Sequence, residues 1–284
     1  MRETGSSPVA DEQILTDAGF HWRERAGVKV LVSTRLEAAG FANGFSTRLG
    51  GVSPFPENSL NLAGFDEDSS ENIAENRRRF LNAFDGEFRL ATAWQIHGDD
   101  IKLVANEFDI GNSDEKFDGL VSQLPNVLVG VKTADCVPVL LADTRTNAFA
   151  AVHAGWRGTA QSIVAKAVQK MTTVFGTNPS DLLAAIGPAA SGRCYEVGSD
   201  VIETFTKNFS NGESYFTATR DGHALVDLHT ANRDQLVEQG IPPSAISIAP
   251  LCTIERIDLF FSYRVEKKLY GKTGRLLSVV GRKG

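Results

Sequence analysis

The sequence predicts an α+β fold in a single domain, with largely antiparallel strands. Three observations carry this. Short β-branched runs come in groups joined by tight turns. Helical patterns fall between those groups rather than after every strand, which disfavours a doubly wound parallel sheet. The 284 residues are 42% hydrophobic and 23% charged, an ordinary globular balance, and no repeat or low-complexity linker divides them.

Residues 1–20 read as a flexible N-terminal arm, polar at first and containing Gly5, Ser6, Ser7 and Pro8. Residues 21–284 read as a single catalytic domain. Strands are expected at 28–32 and 41–46. TRLGGVSPFPENSLNLAG follows, dense in Gly, Pro, Asn and Ser, and reads as a long functional loop. Residues 71–84 carry Ile73, Phe80, Leu81 and Phe84 at helical spacing, with Arg77, Arg78 and Arg79 on the solvated face. Residues 90–96, 101–104, 127–132, 137–142 and 148–153 are β-like, and DTRTN joins the last two as a hairpin. Residues 160–175 form an amphipathic helix, with Ile163, Val164, Ala167, Val168 and Met171 on one face and Gly176 as its stop. Beyond it the pattern predicts a strand at 182–186, helices at 200–209 and 230–239, and strands at 245–249, 259–264 and 275–280.

The net charge of −6 carries no general footprint for nucleic acid or an anionic membrane, although a local basic pocket is compatible with it. The N-terminus lacks the apolar core of a signal peptide, and no apolar run approaches the roughly 20 residues that span a bilayer. The three cysteines, Cys136, Cys194 and Cys252, form no CxxC pair, which suits a reducing compartment better than a disulfide framework. A soluble cytoplasmic protein is expected.

The chemistry concentrates in residues 133–159. Cys136 and His153 end neighbouring apolar segments that converge if the DTRTN turn pairs them, and His97 in WQIHGDD also follows a strand-like run. A thiolate and two imidazoles suit a borderline-soft metal such as zinc, and three protein ligands leave an open coordination position. Gly98, Gly155 and Gly158 flank the histidines and permit close approach. Asp135 is placed to orient a histidine or to act in proton transfer. A metal-free alternative uses the same pair, with Cys136 as nucleophile and His153 as base. Against both stands a plain structural reading, a buried cysteine and capping histidines.

FSTRLGGVS, SLNLAG, WQIHGDD, TADCVPVLLAD, VHAGWRGT, IGPAASGRCYEVG and FFSYR follow one another as they do in the YfiH/laccase-domain family, which this chain resembles over residues 28–282. The resemblance implies an α/β sandwich, mixed and largely antiparallel. It also implies zinc held by His97, Cys136 and His153; Asp135 joins these three as a catalytic candidate from its place beside Cys136. The implied activity is phosphorolysis of adenosine, inosine, guanosine and methylthioadenosine to base and ribose 1-phosphate, with deamination of adenosine. Purine nucleoside and inorganic phosphate would then be the partners. An amide hydrolase acting on peptidoglycan precursors through Cys136 and His153 is the alternative. A multicopper electron-transfer chain needs histidines in HxH and HCH pairs, and this chain has five histidines and no such pair. Copper at the single His-Cys-His site remains an alternative metal, with weak polyphenol oxidase-like redox activity.

Further substrate contacts are expected from residues near these motifs. Arg48 and Asn61 would meet phosphate or ribose. Arg157 lies near a helix N-terminus, where anions bind, or braces its loop. Cys194 would line the pocket and Glu196 handle a proton, or the pair is a structural cysteine and a surface glutamate; Tyr263 and Arg264 would reach the substrate or form an edge strand. Trp156 and Cys252 read as packing residues, and His21, His223 and His229 as structural.

Overall fold

Seven strands form one sheet of the computed structural model, which describes residues 8–63 and 68–284. In spatial order they are Phe20–Arg25, Val28–Ser33, Phe41–Ser46, Leu276–Arg282, Val127–Thr133, Arg89–Trp94 and Gly111–Lys116. A six-stranded sheet packs on it, in the order Ile246–Ile248, Leu182–Ile186, Val137–Asp143, Phe149–Ala154, Gly119–Ser122 and Ile101–Val104. Both sheets are mixed, with antiparallel pairs in the majority.

Successive residues of single strands enter different cores. Leu140 and Ala142 face Phe45, Val129 and Val131 between the sheets. Val139 and Leu141 instead meet Val164, Val168 and Met171 of the helix Ile163–Phe175. On the outer face of the larger sheet, Val30, Leu128 and Val279 pack on Phe80 and Phe84 at the helix Ser70–Leu81. The result is a four-layered α/β/β/α sandwich. Burial on both faces explains why the Val137–Asp143 strand reads as a continuous apolar run rather than an alternating one.

Several expected elements differ. Residues 1–7 of the expected arm lie outside the described residues, and Pro8–Asp17 form a helix whose Leu15 is buried against Phe20. Residues 259–264 are not a strand. Phe260 and Phe261 are buried, and Ser262 then caps a helix, Tyr263–Tyr270, by accepting the Val265 N–H at 3.3 Å. Aromatic β-propensity gave way there to burial of two rings at a helix entrance. The helix expected at 160–175 starts at Ile163, because Ser162 adopts φ 59°, and a separate short helix, Trp156–Ala160, precedes it. A three-stranded sheet of Glu196–Gly198, His223–Val226 and Phe216–Arg220 was not expected, its strands being short and polar.

The loop after Ser46 is pinned by a buried amide. Asn76 accepts the Val52 N–H at 2.9 Å and donates to Ser53 Oγ at 2.8 Å and to the Asn61 carbonyl at 2.9 Å. Two of the three arginines beside it also serve the loop rather than solvent. Arg77 donates to the Ala63 carbonyl at 3.1 Å and Arg79 to that of Gly50 at 3.2 Å. Asn76→Ala should therefore lower stability by about 2 kcal/mol, since buried loop groups lose their partner. Urea denaturation checks this, and an unchanged midpoint would show that the loop holds without the amide.

Candidate functional site

The hairpin brings Cys136 and His153 together. Its register pairs His153 with Pro138 and Ala154 with Val137, so one step further Cys136 faces Gly155. His97 approaches from the loop after Arg89–Trp94, in a left-handed conformation with φ 60°. The ligand atoms of His97, Cys136 and His153 lie within 4.8 Å of one another, and the two imidazole rings meet edge to face with centroids 4.9 Å apart. A Cβ on Gly155 would stand 3.1 Å from Cys136 Sγ and 3.1 Å from His97 Cδ2, so only glycine leaves this space clear. Donor set and clearance suit a borderline-soft metal.

Asp118 organises the group. Its Oδ1 lies 2.7 Å from His153 Nδ1, and the carboxylate also accepts backbone N–H groups from Ile96 at 3.1 Å, His97 at 2.9 Å and Gly98 at 2.7 Å. With Nδ1 so engaged, Nε2 is the nitrogen left for a ligand or substrate. Sequence reasoning passed over Asp118. Its signal was an acidic residue and a glycine at the head of the apolar run LVS.

The same contacts set the charge states of the metal-free group. Burial alone pushes the Cys136 thiol up, but the charge and hydrogen bond of His153, followed by those of His97, bring it down to about 6. Burial pulls His153 down, and the Cys136 thiolate and Asp118 outweigh it, raising His153 to about 9. For Asp118, burial raises the carboxyl, while His153 and the loop N–H groups hold it below its usual range.

A cavity of about 600 Å³ opens over these residues. Lys132, Arg157, Arg264 and Arg275 contribute cationic side chains, and Trp94, Trp156, Tyr195 and Tyr263 contribute aromatic ones. Arg264 stacks over Tyr195 at 5.0 Å and donates to the Glu196 carbonyl at 3.0 Å, while Arg157 stacks over Trp156 at 4.4 Å. Asp135 is the acidic residue on the wall, and both its oxygens are engaged. Thr253 Oγ1 donates at 2.6 Å, Ser262 Oγ at 3.0 Å and the Arg264 N–H at 2.7 Å. Burial raises the Asp135 carboxyl, and these bonds offset part of the rise. Asp135 therefore orients the entrance of the helix Tyr263–Tyr270, and the carboxylate that orients a histidine is Asp118.

Four expected substrate contacts stand elsewhere. Arg48 pairs with buried Glu266 at 2.9 Å, donates to the Ile257 carbonyl at 2.6 Å and stacks over Phe261 at 4.8 Å, so its charge is used inside the fold. Asn61 braces the cavity from behind, its Oδ1 accepting the Arg275 N–H at 2.9 Å. The Glu196 carboxylate is held by Thr219 at 2.8 Å and Arg220 at 3.0 Å on the small sheet, leaving only its carbonyl toward Arg264. Cys194 lies beside Cys252 and Glu255 instead of on the cavity wall. Arg157 and Arg264 do line the cavity, as does Trp156. His229 is buried, with Nε2 3.2 Å from the Gly187 carbonyl.

The sequence model of the family described as multi-copper polyphenol oxidoreductase laccase matches residues 42–283. A Bacteroides thetaiotaomicron protein named purine nucleoside phosphorylase is 34% identical over 241 residues, covering 82% of this chain and 88% of its own. The Escherichia coli protein named purine nucleoside phosphorylase YfiH is 33% identical over 255 residues, covering 89% of this chain and 98% of its own. The crystal structure of YlmD from Geobacillus stearothermophilus superimposes with a TM-score of 0.83 at 33% identity, over 93% of this chain and 99% of that one. The chain belongs to the YfiH/laccase-domain family.

Two outcomes follow from this geometry. Asp118→Asn should weaken metal retention about 10–100-fold, because the His153 ring loses its orienting carboxylate; chelator competition measures it, and wild-type retention would remove Asp118 from this role. In metal-free protein, alkylation of Cys136 should rise with pH through a midpoint near 6 as the thiolate forms. His153→Ala should move that midpoint upward, as read by mass spectrometry of the Cys136 peptide; an unshifted midpoint would show that the imidazole does not hold the thiolate.

Proposed function

We propose that this member of the family is a zinc-dependent purine nucleoside phosphorylase. Adenosine, inosine, guanosine and methylthioadenosine are its substrates, and deamination of adenosine is a second activity. The observation that carries the reading is the cavity itself. Its aromatic faces and four cationic side chains surround a His-Cys-His group, a lining that suits a flat purine beside a phosphate dianion. The names of the relatives point to the same reaction.

In phosphorolysis a phosphate oxygen bonds to C1′ of the ribose as the bond from C1′ to N9 of the purine breaks, and the base takes up a proton. Arg157 and Arg264 hold and orient the phosphate. Arg264 is fixed for this by its stack on Tyr195 and its bond to the Glu196 carbonyl. Trp94, Trp156 and Tyr195 offer stacking surfaces to the base. His97, Cys136 and His153 would hold zinc, which supplies Lewis acidity at this end of the cavity. Asp118 keeps His153 in the tautomer that leaves Nε2 free.

The chain of contacts from Cys136 to His153 to Asp118 also favours a second reading, a Cys-His hydrolase with Asp118 as the orienting group. Peptidoglycan precursors with an amide bond are its candidate substrates.

Metal analysis of the purified protein, paired with chromatography of adenosine incubated with and without phosphate, separates the two. Stoichiometric zinc and adenine release that requires phosphate are expected, and inosine formed without phosphate marks the deaminase. Cys136→Ala should reduce turnover by more than about 100-fold and lower bound zinc, whereas Arg157→Ala should raise the KM for phosphate about tenfold. Absence of both metal and nucleoside turnover would sink the phosphorylase and leave the hydrolase to be tested on cell-wall precursors.

A further inference from the structure

A second cluster of soft donors lies outside the cavity. The sulfur atoms of Cys194 and Cys252 and a carboxylate oxygen of Glu255 are all within 4.8 Å of one another. Two segments distant in sequence supply them. Cys194 ends a turn in which its N–H donates to the Ser191 carbonyl at 2.9 Å. Cys252 bridges to Ala189, and the next N–H, that of Thr253, donates to the Ala189 carbonyl at 3.1 Å. Cys252 is buried and accepts the Ser191 N–H at 3.4 Å, whereas Cys194 is half-buried and Glu255 opens to solvent. A cation would thus have one sheltered thiol and an entry side.

We propose that Cys194, Cys252 and Glu255 form a second metal site, for a thiophilic divalent cation of the zinc class. Two sulfurs and a carboxylate oxygen are ordinary zinc donors. Tetrahedral bonds of about 2.3 Å to sulfur and about 2.0–2.2 Å to oxygen set donors roughly 3.5–3.8 Å apart, so donors already within 4.8 Å of one another need to close by no more than about 1.3 Å. Charge agrees with this. Two thiolates and a carboxylate would be balanced by the divalent ion together with Arg193, which pairs with Glu255 at 2.8 Å. Three protein donors leave a fourth position for water.

This site would clamp the wall of the neighbouring cavity without entering it. Tyr195, next to Cys194, lines the cavity, and Thr253, next to Cys252, holds Asp135. The proposal is independent of the chemistry at His97, Cys136 and His153.

Loading with Co2+ tests it, because thiolate-to-cobalt absorption and bound-metal analysis both report on cysteine ligation. The reduced full-length protein, Cys194→Ser, Glu255→Gln and Cys136→Ala are loaded, desalted and compared. Two equivalents are expected in wild type, and about one in each variant. Cys136→Ala should retain strong thiolate-to-cobalt absorption from Cys194 and Cys252. Glu255→Gln keeps the test open should Cys194→Ser fail to fold, since Glu255 lies at the surface. A single equivalent that survives Cys136→Ala and disappears in Glu255→Gln supports this site and counts against metal at the cavity. Wild-type stoichiometry in Cys194→Ser and Glu255→Gln, or no cobalt in Cys136→Ala, overturns the proposal. So does loss of both remaining thiols of Cys136→Ala to oxidised glutathione that saturating Zn2+ fails to prevent, which would make Cys194 and Cys252 a redox pair.

Discussion

One carboxylate ties the two histidine donors of the candidate site to one another. Asp118 grips His153 through Nδ1 and the 96–98 loop through three backbone N–H groups. His97 holds a left-handed backbone, which L-residues rarely adopt unaided, and the Asp118 contacts are what keep it there. The His153 N–H in turn donates to the Asp118 carbonyl at 2.7 Å, so side chain and backbone of one residue fix both histidines. Charge assistance strengthens these bonds, and burial keeps water from competing for them.

The layered architecture makes such a site possible at a strand end. The Val137–Asp143 and Phe149–Ala154 strands are buried throughout, so their positions are set from both sides. Cys136 and His153 inherit that rigidity, and Gly155 keeps the space between them open. The cavity wall is built differently. It relies on Asp135, which draws the 253 and 262–264 segments together, and on Asn61, which holds Arg275 from behind.

Cationic residues divide between two uses. Arg157, Arg264, Arg275 and Lys132 turn toward the cavity, while Arg48 is spent on Glu266 within the fold. A protein with net charge −6 thus presents a local cationic pocket. The family description refers to several coppers, yet the cavity gathers one cysteine and two histidines from a chain with five histidines. That donor set suits a single metal ion, and among the described residues no other histidine joins it.

The sequence by itself determined most of the layer-forming elements and the hairpin, but not the strands Phe20–Arg25, Gly111–Lys116 and Gly119–Ser122. Apolar periodicity and turn residues act locally, so 41–46, 101–104 and 182–186 are legible to the residue. It also singled out Cys136, His153 and His97, because those residue types at strand ends carry recognisable chemistry. Only the tertiary structure decided which charged groups meet them. Asp118 is 35 residues from His153, and Glu266 is 218 from Arg48. A lone acid or arginine has no period and no local partner in the chain. Its role follows from which buried neighbour neutralises it, and packing alone chooses that neighbour.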